Sequence, residues 1–189
     1  MPRPKTLPDA RILDIAHRLI HAEGPAALTF ARLSNVCGLS GATLVQRFGN
    51  KDGLMRATLL HAWDKLDART IRLAAKAPRS PAGAVALLVG LSRNFGGIEA
   101  YADGLLVLRE DLRDPALRAR GTAWHRQLSA MLEACFPQGP HQIGQLMAAQ
   151  WQGLVLWWGF DPRGKLEVHV KTSLTRFVAA LTAGNRTRD

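Results

Sequence analysis

The stretch from Thr29 to Asn50 constrains the fold more than any other part of the chain, because its punctuation leaves room for two short helices and little else. Thr29 precedes the apolar-periodic run Phe30, Leu33, Val36 and Cys37, which Gly38 closes. That combines an N-cap hydroxyl with a C-terminal glycine able to take positive φ. After Leu39, Ser40 can cap a further helix from Gly41 to Phe48, in which Leu44 and Phe48 lie one turn apart on one face, and Gly49-Asn50 ends it. Two short helices joined by a tight glycine turn have the layout of a helix-turn-helix.

The flanks extend the pattern. Ile12, Ile15, Ala16, Leu19 and Ile20 recur at helical spacing between Pro8 and Gly24-Pro25, one amphipathic helix of about four turns. Asn50 offers a cap to a long helix through Leu54, Leu59, Trp63, Leu66 and Ile71, broken at Pro78 to Pro81 and expected to link two halves. Gly96-Gly97, Asp114-Pro115, Pro137 to Pro140 and Asp161 to Gly164 then leave helical stretches near 82–95, 99–112, 115–135, 141–159 and 165–183. The pattern predicts an all-α chain of about nine helices. An N-terminal three-helix helix-turn-helix domain, residues 1–57, is followed by a C-terminal helical bundle, residues 58–189. Residues 1–6 read as a loose basic arm and residues 184–189 as a polar tail.

Of the 189 residues, 47% are apolar and 21% charged, the balance of an ordinary globular protein. No run reaches the roughly 20 apolar residues of a membrane span, and the start lacks the apolar segment of a signal peptide, so a cytoplasmic location without membrane attachment is expected. Cys37 and Cys135 lie inside apolar helical patterns without paired spacing and read as small core hydrophobes. The net charge of +10 is the footprint expected of a phosphate-rich partner. Its distribution is even: residues 1–66 carry nine Lys/Arg against five Asp/Glu, and residues 67–189 sixteen against ten, so a generally basic surface is the alternative reading.

Residues 10–57 resemble the TetR family. The resemblance is carried by Ile12-Leu13-Asp14-Ile15-Ala16, Gly24 to Thr29, Leu33 to Ser40, Thr43-Leu44 and Phe48-Gly49-Asn50-Lys51-Asp52-Gly53-Leu54. It implies a ligand-responsive DNA-binding transcriptional regulator, a repressor that binds a palindromic operator in double-stranded DNA as a homodimer and is released by a small-molecule effector. A recognition helix presents side chains to base edges while the preceding helix crosses the backbone. With Leu44 and Phe48 turned inward, Gly41, Ala42, Val45, Gln46 and Arg47 are the outward candidates. Gln46 suits adenine N6/N7 and Arg47 suits guanine O6/N7. Ser40 and Thr43 lie at the helix start, where Thr43 can meet a phosphate or a thymine methyl. Thr29 and Lys51 match family positions on the phosphate backbone, though Thr29 can equally be a plain N-cap. Val45 stands where an aromatic commonly contacts phosphate and Gly41 where longer side chains are frequent. A reduced contact set is therefore expected, which Arg3 and Lys5 of the arm are placed to offset.

Behind that segment lie Trp63, Trp124, Trp151, Trp157 and Trp158. Aromatic residues at helical spacing serve core and interface packing or line a ligand cavity. By the resemblance, cavity walls are Trp63, Leu66, Phe95, Leu105, Leu108, Trp124, Trp151 and Leu154, with Arg109, His125 and Gln150 as anchors, for an apolar or aromatic effector. The helical stripes of 141–159 and 165–183 either pair with a second copy or close the monomer core.

An enzyme would need a nucleophile with its base, a carboxylate dyad, a phosphate loop or metal ligands, and none stands out. Glu110 and Asp111 are adjacent and diverge on a helix. His17 and His21 form an i, i+4 pair that could in principle hold a metal, but they read as half-exposed helix surface. No enzymatic activity, cofactor or metal is expected. A helical ligand-binding or partner-binding protein without specific DNA binding is the alternative function.

Overall fold

The structure, a computed structural model, describes residues 7–93 and 97–185, with side chains as far as residue 181. Among the described residues there are nine α-helices, one 3-10 turn and no strand. The order is α1 (Asp9–Glu23), the turn Pro25–Ala27, α2 (Phe30–Cys37), α3 (Gly41–Phe48), α4 (Lys51–Lys76), α5 (Pro81–Leu91), α6 (Ile98–Arg113), α7 (Pro115–Glu133), α8 (Ile143–Phe160) and α9 (Leu166–Asn185). The all-helical architecture read from the sequence is the one observed. None of these helices is long and apolar enough to cross a membrane.

The chain gathers into two compact units that do not follow chain order. One comprises residues up to Leu66 together with Ala102–Gly121, and the other Asp67–Tyr101 with the chain from Thr122 onward. The sequence-drawn boundary at residue 57 falls inside α4.

In the first unit the predicted inward residues close one apolar cluster. Ile12, Ala16 and Ile20 of α1, Leu28, Leu33 of α2, Leu44 of α3 and Leu54 and Leu59 of α4 are fully buried, with Leu117 of α7 beside them. Each such leucine stabilises the unit by about 2 kcal/mol through burial alone. The second unit owes its core to helices of a different kind. In α5, PAGAVALLVGL, residues from Gly83 to Leu91 are buried all but one, which is what a helix apolar on every side requires. Trp124, Leu128 and Leu132 of α7, Met147, Trp151 and Val155 of α8, and Leu166, Val170 and Leu174 of α9 complete the core.

Helix ends are satisfied locally or by a neighbour. Ser80 accepts from Gly83 N at 3.3 Å, with Pro81 in the first turn of α5. The sequence places the end of this helix at residue 95, but α5 stops at Leu91, where the Ser92 amide is shared between the Leu88 and Val89 carbonyls. Residues 94–96 lie outside the described part. At α8 the carboxylate of Glu133 accepts from Gln142 N at 3.1 Å and Gly144 N at 2.6 Å, an acid seated on orphan amides at a helix start. Cys135 is buried as expected and Cys37 partly so; both thiols are free.

Candidate nucleic-acid interface

The turn between α2 and α3 is built from side-chain hydroxyls. Thr29 Oγ1 accepts from Arg32 N at 3.1 Å, and Ser40 Oγ accepts from Thr43 N at 3.1 Å, so both helices start on a cap. Gly38 closes α2 with φ +72°, the left-handed conformation that glycine takes without steric cost. Ser34 Oγ then donates to Leu39 O at 2.6 Å across the turn. The angle between the two helices is thereby fixed by hydrogen bonds as well as by Leu33 and Leu44, both fully buried.

With Leu44 anchored and Phe48 packed against the same core, α3 turns Ala42, Val45 and Gln46 to solvent. Val45 is 46% exposed, an apolar side chain in the middle of the outer face. Gly41, Thr43 and Arg47 are half-exposed, and the Thr43 hydroxyl lies 2.8 Å from that of Ser40. The Arg47 guanidinium is already engaged. It donates to the Leu7 carbonyl at 2.6 Å and to Asp9 Oδ1 at 3.0 Å, joining the end of α3 to the start of α1.

Past α3, Asn50 Oδ1 caps α4 by accepting from Gly53 N at 2.8 Å. A Cβ on Gly53 would stand 2.3 Å from the Phe48 carbonyl oxygen, so the close approach of α4 to the end of α3 depends on its absence. Lys51, exposed at the first position of α4, reaches the Ala26 carbonyl at 3.4 Å. Thr29, Ser40, Thr43 and Lys51 are thus held at the starts of three successive helices, where free amides and the dipole favour a phosphate. On the α2 side, Arg32 pairs with Glu23 at 2.6 Å, a hydrogen bond that keeps the Glu23 carboxyl below its ordinary range. Arg3 and Lys5 lie outside the described residues.

Behind the interface, acidic side chains tie α4 to its neighbours. Asp14 of α1 accepts from Lys65 at 2.8 Å and His61 at 2.9 Å. Asp114 caps α7 through the amides of Ala116 and Leu117 and pairs with Arg56 at 2.6 Å. Asp111 accepts from the Trp63 indole at 3.0 Å, and burial raises its carboxyl above the usual value despite that bond. No pattern in the sequence signals the ties to α4, because their partners lie too far apart in the chain for any helical spacing to announce them.

The residues expected to line a cavity are distributed over both units. In the first, Trp63 and Leu66 are half-buried, while Leu105 and Leu108 are 43% and 46% exposed. Arg109 pairs with Glu110 at 3.3 Å, and both line a groove of about 280 Å³ with Pro25, Lys51 and Met55. In the second, Trp124 and Trp151 are buried with ring centroids 6.4 Å apart. Their indoles donate to Thr70 Oγ1 at 3.0 Å and Ser92 Oγ at 2.8 Å. His125, Gln150 and Leu154 are half-buried, and Phe95 lies outside the described residues. A further groove, of about 390 Å³, runs between α5 and α9 over Val85, Val89, Arg93, Lys171 and Val178, of which the sequence marks Val178 alone, as part of the apolar stripe of 165–183.

Comparison with known proteins identifies the N-terminal segment. Residues 12–58 match the family model of bacterial regulatory proteins of the tetR family. No curated protein sequence matches the chain. Among solved structures, a TetR-family member from Streptomyces coelicolor is similar at 24% identity, with TM-score 0.68 over 89% of this chain and 98% of that one. The multidrug binding protein EbrR, crystallised with imidazole, is similar at 21% identity and TM-score 0.64 over 93% and 96%. The TetR-family transcriptional regulator PfmR from Thermus thermophilus is similar at 21% identity and TM-score 0.58 over 89% and 97%. The segment that holds the candidate interface thus matches the regulatory domain of the tetR family over residues 12–58, and the chain shares its all-helical fold with these solved structures.

Proposed function

We propose that the chain represses transcription as a homodimer on a palindromic operator and is released by a small apolar or aromatic effector bound in its helical body. The observation that carries the DNA reading is the doubly capped α2–α3 pair, which turns Ala42, Val45 and Gln46 outward from a buried Leu44. Gln46 reads adenine, Gly41 and Ala42 allow close approach to the groove floor, and Val45 meets a thymine methyl. Thr29, Ser40, Thr43 and Lys51 hold phosphates. Arg47 reads guanine by exchanging Asp9 and the Leu7 carbonyl for the base edge.

A homodimer is supported by apolar surface that a lone chain leaves wet. Trp157 and Phe160 of α8 are 68% and 75% exposed, with Leu146 and Leu156 exposed along the same helix and Val168 at the start of α9. Two-fold pairing of such surface matches a palindrome read by two recognition helices. The effector class is supported by the cluster of tryptophans in the body and by EbrR, similar in fold, which has been crystallised with imidazole and with proflavin.

Selection of random double-stranded DNA on the purified protein tests this reading. The expected result is a palindromic motif whose half-site loses one position in Gln46→Ala. Lys51→Ala lowers affinity for all sequences alike and reduces the salt slope by about one per protomer. Because Asp9 competes for Arg47, Asp9→Asn tightens binding where Arg47→Ala weakens it. No enrichment by a folded dimer would overturn the reading in favour of a helical ligand-binding or partner-binding protein.

A further inference from the structure

On α1, half-buried His17 and exposed His21 stand one helical turn apart with their Nε2 atoms 3.1 Å from each other. Their ring centroids are 4.4 Å apart and the planes cross at 74°. An end-on N–H···N hydrogen bond would separate the centres by the nitrogen distance plus two ring radii. The observed separation is shorter, so the rings meet at an angle, one imidazole donating to the other, and an ion that takes both nitrogens would replace the proton they share.

The distance also fits two donors on one ion. With metal–nitrogen bonds of about 2.0–2.1 Å, two imidazole nitrogens stand about 2.9 Å apart at a right angle and about 3.4 Å apart at the tetrahedral angle. We propose that His17 and His21 form a two-histidine site for a first-row divalent transition-metal ion of the copper, nickel and zinc class. Imidazole donors suit these ions, and the ordinary order of affinities puts copper first.

The surroundings agree. A ligating imidazole must be neutral, and burial, followed by the neighbouring charges of His21, Lys65 and His61, lowers His17 to about 4, with Asp14 opposing. His61 and Lys65 come from α4, and Asp14, on α1, accepts from both, so this carboxylate is already engaged. His21 is exposed and leaves the far side of the ion open to water. Among the described residues no third His, Cys, Asp or Glu completes the set, which predicts a weak, exchangeable site and not a structural one.

Titration of the full chain with Cu²⁺, and separately with Ni²⁺, in a buffer free of chelators tests the site. Wild type is expected to bind one Cu²⁺ at least tenfold more tightly than His21→Gln or His17→Gln. A control variant at the exposed His141 retains the wild-type affinity. Substoichiometric Ni²⁺ should broaden the ring resonances of His17 and His21 together before those of other histidines. Equal Cu²⁺ affinity in wild type and His21→Gln, or broadening that begins at another histidine, would overturn the proposal. His21 is exposed, so its variant keeps the test decisive even if His17→Gln does not fold.

Discussion

Asp14 and Trp151 make comparable ties in the two compact units by opposite means. Asp14, in the unit that holds the candidate interface, is a carboxylate that joins α1 to α4 by accepting from Lys65 and His61. Trp151, in the other unit, joins α8 to the end of α5 by donating an indole N–H to Ser92 Oγ, both groups buried. The pattern recurs: Arg47–Asp9 and Arg56–Asp114 lace the first unit, and Trp124–Thr70 the second. Ion pairs at a surface weaken with salt and titrate with pH, whereas a buried neutral hydrogen bond does neither. The unit that holds the candidate interface is therefore the one in which long-range ion pairs join the helices, and these pairs respond to the ionic conditions that also govern phosphate binding.

The strongest test of that contrast removes no charge. Gly53→Ala puts a methyl group against the Phe48 carbonyl, and the first unit should lose about 3 kcal/mol as α4 is pushed off α3. Hydrogen exchange should show the loss in α2 and α3. Unchanged protection there would mean that the contact at Gly53 does not hold the interface.

Next in size is a pH effect belonging to the first unit. His17 is lowered from 6.5 to about 4, chiefly by burial, so the unfolded chain binds the extra proton between those values. Stability present above pH 6.5 is lost as pH falls toward 4, by about 2 kcal/mol. Denaturation curves at pH 7 and pH 4 should show that decrement in wild type and not in His17→Gln. An equal decrement in both would remove His17 as its source.

The second unit should behave differently. Trp151→Phe keeps most of the ring packing and deletes the donor to Ser92, at a cost of about 1–2 kcal/mol that is the same in low and high salt. A cost that varied with salt would break the comparison from that side.

How far the sequence announces these features depends on how local they are. The caps at Thr29 and Ser40, the left-handed Gly38 and the inward Leu44 are set by residues within a few positions of each other, and each is legible as it stands. The nine helices among the described residues follow from the spacing of apolar residues and from Gly and Pro breaks. The Arg47–Asp9 contact spans 38 residues and the Asp14–Lys65 contact 51, so only the packing of helices reveals them. Arg47 illustrates the consequence: its side-chain chemistry reads as a base contact, but its resting partner is a matter of tertiary structure. The indoles of Trp124 and Trp151 read as apolar walls, while their N–H groups bind buried hydroxyls. The histidine pair on α1 is two letters one turn apart until its atoms are placed.

The smallest effect discriminates most sharply between the units. Asp14 is lowered from 3.8 to about 2, first by its hydrogen bond from Lys65 and then by that from His61. The folded chain therefore keeps this carboxylate ionised where the unfolded chain has protonated it. The resulting stability is complete above pH 4 and disappears as pH falls from 3.8 toward 2. Because Lys65 is 58% exposed, solvent screens the pair, and Asp14→Asn should cost only about 1 kcal/mol at neutral pH. Denaturation of wild type and Asp14→Asn at low and high salt measures it. The gap should narrow as salt rises and close near pH 2, while Trp151→Phe keeps its full cost in high salt. A gap that persisted at pH 2 would mean that Asp14 acts through packing and not charge, and each unit would then be held by the same physics.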